Sequence, residues 1–325
     1  MALHQKILNA AEPVVFYEVI PPSAGSEVEL ESRLELIRDV ASQVDAINIP
    51  EIREETRNGA SKRQMKQRMP PREFAQAIRA AVKVETVVNR VTVHECAADQ
   101  RRWLREGFRK YGIRNVILVG GESAGVGYPG PSVAEMAALA VEENLPFLLG
   151  GITIPHRTGE AERVREKQAR GIRFFTTQVL LDSKDVVRLV RELNGLPVRV
   201  LLSFTPVSNE KDLDFLEWLG VEIPPAFREL IRKAGSPQEA VERSLGLARK
   251  ILTEVYETAP SHGLALGLQV ERITKRNSAA ARRMLSELGD FYRRVLENRH
   301  PVASVGAAAA PASRVAAMPQ RPPVK

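Results

Sequence analysis

The chain has a single cysteine, Cys96, in 325 residues, so it cannot form an internal disulfide and an oxidising compartment would give the fold nothing. Aromatic residues are scarce at 5%. The densest basic stretch, RNGASKRQMKQRMPPR over 57–72, carries none of the interleaved aromatics on which bases stack. No nucleic-acid partner is therefore expected. No apolar run reaches the roughly 18 residues that a membrane helix needs, so no membrane partner is expected either. The start, MALHQKILNAAEP, lacks the basic-then-apolar order and the small-residue cleavage site of a secretion signal. These absences together predict a cytoplasmic protein. The histidines His4, His94, His156, His262 and His300 are scattered, and none stands at ligand spacing from a carboxylate or cysteine, so no metal site is expected. No serine sits in a GxSxG elbow.

What is present has ordinary globular composition, 44% hydrophobic and 27% charged, with a net charge of +7. That excess reads as a solvated basic surface or as attraction for an anionic small molecule. Short apolar runs recur along the chain: 13–22, 46–50, 84–93, 115–121, 147–154, 174–181, 198–206 and 264–270. They are nearly continuous in apolar character, as parallel strands covered on both faces require. Segments of helical spacing lie between them. Leu104, Phe108 and Tyr111 precede Gly112, and Leu213, Leu216 and Leu219 precede Gly220, each glycine placed to end a helix. Ser183 reads as a cap, and Ser236-Pro237-Gln238-Glu239 as a capping box. Eight strands alternating with helices predict a (β/α)8 barrel of the TIM type over 1–299. A short extra helix falls between the last two strands, within 220–235. The Ala/Pro-rich residues 300–325 read as a disordered tail.

In such barrels the reactive face lies at the C-terminal ends of the strands. That rule selects Glu18, Asn48, Thr92 with His94, Glu122, His156, Gln178, Thr205 and Gln269. Glu18, in FYEVIPP, is the most informative. A carboxyl deep in an apolar strand has its pKa raised and suits a general acid near neutral pH. The competing reading is an ion pair across the barrel with an arginine such as Arg90. Gln178, in FFTTQVLLD, offers donors and an acceptor to the edge of a heterocycle, or serves as a bonded core amide. The glycines of GGESAGVGYPG (120–130) stand too far from strand and helix to form a dinucleotide turn, and read as a loop over the site.

Four stretches then carry a likeness. FYEVIPP, YGIRNVILVGGES, EKQARGIRFFTTQVLLD and TPVSNEKDLDFLEWLGVEIPP resemble segments of methylenetetrahydrofolate reductases, over roughly residues 10–295. The resemblance implies reduction of 5,10-methylenetetrahydrofolate to 5-methyltetrahydrofolate by NADH or NADPH. Glu18 would be the acid that opens the five-membered ring, and Glu122, Gln178 and Asp212 would contact the folate. Asn48, Arg90, Thr92 and Lys167 would lie on the cofactor side. Most members hold FAD. This chain has Arg90 where they carry a strand-three histidine, and Ile154 and Thr158 after strand five where they carry a tyrosine and a histidine. FAD therefore stands as an open second cofactor beside direct hydride transfer from the nicotinamide. Two other readings remain: a folate-binding or methyl-transferring protein on the same barrel, and an unrelated barrel enzyme acting on a phosphorylated substrate. Homo-oligomerisation is left open.

Overall fold

The computed structural model describes residues 2–53, 66–121, 127–259, 263–272 and 277–299. Every apolar run becomes a strand. These are β1 (Val15–Glu18), β2 (Ala46–Ile49), β3 (Glu85–Val91), β4 (Asn115–Val119), β5 (Leu148–Thr153), β6 (Phe174–Val179), β7 (Arg199–Phe204) and β8 (Ala265–Val270). Each pairs in parallel with the next, and β1 pairs with β8 to close the barrel. Helices α1 (Leu3–Leu8), α2 (Glu27–Val40), α3 (Pro71–Ala81), α4 (Ala97–Arg109), α5 (Val133–Glu142) and α6 (Glu160–Ala169) come first. They are followed by α7 (Lys184–Glu192), α8 (Glu210–Trp218), α9 (Pro225–Arg232), α10 (Pro237–Thr258) and α11 (Ser278–Arg299). The predicted tail, 300–325, lies outside the described residues.

The period-two alternation of the strands divides their side chains between two cores. Odd residues of β1, such as Val15 and Tyr17, face the helices in one large cluster. Phe16 turns inward with Ala46, Val87, Ile117, Phe174 and Leu201. Phe16 and Phe174 meet edge to face there, with centroids 5.8 Å apart. Gly150 of β5 makes room for this packing, because a Cβ on it would run into the Phe174 ring. Gly150→Ala should therefore destabilise the barrel by about 1–3 kcal/mol through overpacking. A urea midpoint equal to that of the parent would show that Phe174 can simply step aside.

The end opposite the strand C-termini is plugged by α1, which the sequence reading did not identify. Leu3 and Ile7, one turn apart, enter the inner core. Lys6 Nζ reaches Asp45 Oδ1 at 2.6 Å, and Asp45 Oδ2 accepts from the Val15 amide at 2.8 Å. Arg199 is fully buried and donates to the carbonyls of Lys6 (2.9 Å), Ile7 (3.0 Å), Asn9 and Leu266.

The predicted helix stops hold: Gly112 and Gly220 both adopt left-handed backbone, φ 64° and 83°. Two caps are built differently from expectation. The Ser183 side chain caps nothing, and Asp182 Oδ1 instead accepts from the Lys184 amide at 2.7 Å. Ser236 Oγ does accept from the Glu239 amide, but Glu239 turns its carboxylate to the Gly235 amide, so the box is open by one residue. The extra helix is α9. Its Phe227 and Ile231 pack with Val179, Leu213 and Leu216 into a separate apolar cluster beside the exits of β6 and β7.

Candidate active site

At the C-terminal end of the barrel the inward positions change from apolar to polar. Above Phe16 comes Glu18, above Ala46 comes Asn48, and above Val87 comes Asn89. Gln178 follows along β6 and Ser203 along β7, while β8 presents Gln269 and then, one period beyond, Glu271. Asn48, Asn89, Ser203 and Gln269 are buried and form a floor. Glu18, Gln178 and Glu271 keep part of their surface accessible. The mouth is thus a set of amides and a hydroxyl beneath two carboxyls.

One chain of contacts links them. Asn48 Nδ2 donates to Glu18 Oε2 at 3.5 Å and to Gln269 Oε1 at 3.4 Å, and Gln269 Nε2 donates to Glu271 Oε1 at 2.9 Å. The Glu271 backbone is fixed as well, its amide donating to the Phe204 carbonyl and its carbonyl accepting from Thr205 Oγ1, at 2.8 and 2.9 Å. Two buried polar atoms of the floor, Asn48 Oδ1 and Asn89 Oδ1, have no hydrogen-bond partner among the described residues. Buried polar atoms of this kind ordinarily find one, so the floor has bonding capacity to spare.

The electrostatics follow from the burial of carboxyls with which no described cation forms an ion pair. Among the described residues no lysine or arginine forms an ion pair with Glu18 or Glu271, so the pairing with Arg90 weighed from the sequence does not form. Burial pushes the Glu18 carboxyl well above the usual range, and the Glu271 charge pushes it further, with Arg272 pulling the other way. Burial likewise raises Glu271, to about 7, against the opposing effects of Gln269 and Ser203.

The other nominated residues lie apart from this cluster. Arg90 is turned to the helix layer, where it bonds Gln100 Oε1 at 2.9 Å and pairs with Glu51 and Glu95 over the ring of Trp103. Lys167 reaches back from α6 to the Ile152 carbonyl at 2.9 Å, and burial lowers its pKa. Thr92 is wholly buried, and its Oγ1 has no hydrogen-bond partner among the described residues. Asp212 Oδ2 accepts from Ser208 N, Ser208 Oγ and Asn277 Nδ2 at 2.8, 2.6 and 3.0 Å. That carboxylate ties the loop after β7 to the start of α11. Gln178 joins the mouth, and its Nε2 donates to the Leu219 carbonyl at 3.3 Å, just before Gly220. His94 stacks edge-on against Tyr128, and His156 is exposed. Glu122 lies outside the described residues. Of the glycine-rich stretch, Gly120, Gly121, Gly127 and Gly130 are described, and Gly130 is the most confined by backbone. It packs so tightly on the carbonyls of Thr92 and Glu95 that no Cβ would fit. It serves as a crossing point between two loops.

Sequence reasoning did not select Glu271, Ser203 or Asn89. The signal for Glu271 was its place two residues after Gln269, on the same inward face. Asn89 and Ser203 are likewise single polar residues at inward positions of apolar strands.

Comparison with known proteins leaves the fold as the shared property. No family model and no curated protein matches the chain. The solved structure of an uncharacterized protein from Clostridium thermocellum, which binds two copies of 5-methyl-5,6,7,8-tetrahydrofolic acid, is similar at TM-score 0.69 and 20% identity. The match covers 89% of this chain and 99% of that one. A crystal structure of oxaloacetate acetylhydrolase matches at TM-score 0.45 and 13% identity, over 86% of this chain and 83% of that one.

Proposed function

We propose that the chain reduces 5,10-methylenetetrahydrofolate to 5-methyltetrahydrofolate, with NADH or NADPH as hydride source and Glu18 as general acid. The observation that carries this reading is a protonatable carboxyl at the barrel mouth, set above spare buried acceptors and paired with no cation among the described residues. The folate bound by the structural relative and the four motif resemblances support the choice of substrate.

In this reading the edge of the pteridine, which carries both N–H donors and acceptors, bonds the amides of the mouth. Gln178 supplies one amide, and the unpartnered acceptors of Asn48 and Asn89 suit its N–H groups. Glu18 gives its proton to the bridging nitrogen, the ring C–N bond opens, and the folate becomes a cationic iminium. A reduced nicotinamide, when bound, would supply the hydride at the exocyclic carbon. Buried amides and hydroxyls fixed before the substrate arrives act on that charge without having to reorganise.

Of the residues placed on the cofactor side, Arg90 and Lys167 are engaged in the helix layer and Asn48 lies in the mouth beside Glu18, so these three do not line one surface that would hold a flavin. In this reading the hydride would come directly from the nicotinamide. The engagement of those side chains also favours the second reading, a folate carrier without redox chemistry. Anaerobic oxidation of NADH or NADPH that depends on 5,10-methylenetetrahydrofolate and needs no added FAD is the expected result. No oxidation of either nicotinamide, with or without FAD, alongside tight 5-methyltetrahydrofolate binding, would leave the carrier. Gln178→Ala should weaken 5-methyltetrahydrofolate binding about 10-fold, as loss of a buried bond to a heterocycle does. Unchanged affinity in calorimetry would remove Gln178 from the pocket.

A further inference from the structure

Glu271 has a more specific part than filling the mouth, and its position shows it. In the β1–β8 ladder Phe16 lies opposite Gln269 and Tyr17 opposite Val270, so the next pair is Glu18 and Glu271, inward on adjacent strands. Like charges opposed across a ladder repel, and no described lysine or arginine pairs with either to relieve it. The hydrogen bonds around them are unequal. Glu271 receives a 2.9 Å bond from Gln269, whereas Glu18 receives a 3.5 Å contact from Asn48. The hydroxyl of Ser203 also favours the charged form of Glu271. The environment therefore prepares one side for the anion and leaves the other better suited to hold a proton.

We propose that Glu271 is a positioning residue for Glu18: the two carboxyls share one proton, and the anion on Glu271 keeps it on Glu18 until a bound folate takes it. The charge balance supports this. Before transfer the pair carries one negative charge and the substrate ring none. After transfer the pair carries two and the iminium one positive charge, so the mouth keeps its net charge. The O–H bond of Glu18 breaks, an N–H bond forms on the substrate, and the proton is replaced from solvent in the next turnover. A low-polarity site favours a step that creates its opposite charges together over one that creates a lone charge.

The charged groups acting on Glu18 among the described residues are Glu271 and Arg272, and Glu18 in turn acts on Tyr17 beside it in β1. Arg33 of α2 and Arg282 of α11 act on Tyr17. Of these, Glu271 is the anion whose removal should make Glu18 a stronger acid.

This inference rests on the acid role assigned to Glu18, and the test separates the two. Infrared titration of the protonated-carboxyl band in the substrate-free protein asks about the pair alone. Wild type should lose that band in two separated steps, and Glu271→Gln in one step below the upper step of wild type. If the single carboxyls of Glu271→Gln and Glu18→Gln titrate where the pair's steps lie, the proton is not shared, whatever the substrate. In turnover, Glu271→Gln should move the alkaline fall of kcat/KM down by about one to two pH units, a loss of about 10- to 100-fold above that point that recovers in acid. Glu271→Asp, which keeps the charge, should hold the fall near its original place. An equal loss at every pH, not restored by aspartate, would make Glu271 merely structural.

Discussion

Glu18→Gln is expected to lower the turnover rate about 1000-fold while 5-methyltetrahydrofolate still binds, the loss a missing general acid ordinarily causes. The amide keeps the volume and the contact with Asn48 but cannot give up a proton. A second consequence follows from the same carboxyl. Its pKa is higher in the folded chain than in the unfolded one. Above the unfolded value the folded state therefore binds more protons, so stability falls as pH rises through that window. Below the unfolded value the group is protonated in both states and its cost vanishes. Glu18→Gln removes a cost that grows with pH, and should stabilise the substrate-free protein by about 1–3 kcal/mol at pH 8 and by almost nothing at pH 4. Melting curves at the two pH values check this. A variant destabilised equally at both would show that the carboxyl holds the barrel together instead of serving chemistry.

Arg199→Met should have the largest effect on stability, about 3–5 kcal/mol, because it strips donors from the end of the barrel that α1 plugs. Arg199 is fully buried, and burial lowers its pKa. It nevertheless makes hydrogen bonds to carbonyls of Lys6, Ile7, Asn9 and Leu266. Methionine fills much of the space and satisfies none of them. Because three of the four carbonyls belong to α1 or its immediate exit, the plug should loosen first. Denaturant unfolding with amide exchange in residues 3–9 reads both effects. A loss below about 1 kcal/mol would mean that the freed carbonyls find other partners.

The barrel was legible because its strands are buried on both faces, and such strands are written as short, nearly unbroken apolar runs. Glycine marked the ends of α4 and α8 for an equally local reason, since the left-handed turn there is open to few other residues. Ser183 shows the limit of local reading: the serine was a good cap by type, but Asp182 reached the amide first. α1 was missed because it is six residues long and its two apolar contacts acquire meaning only once the barrel floor exists. In the site, Glu18, Asn48, Gln178 and Gln269 could be selected because each is a polar residue near the C-terminal end of an apolar strand. Whether such a residue points inward depends on strand phase at its very end. Arg90 shares that pattern, yet it turns outward to Gln100 and Trp103. Glu271 fell just past the run that defined its strand, so its place on the inward face emerged from the register with β1.

The crystal structure of the protein with 5-methyltetrahydrofolate tests the central claim most directly. The pteridine should lie in the mouth of the barrel, with Gln178 on its edge and a Glu18 oxygen within hydrogen-bond reach of the bridging-side nitrogen. A folate bound elsewhere on the barrel, or a mouth in which Glu18 turns away from the ligand to pair with a cation, would contradict it.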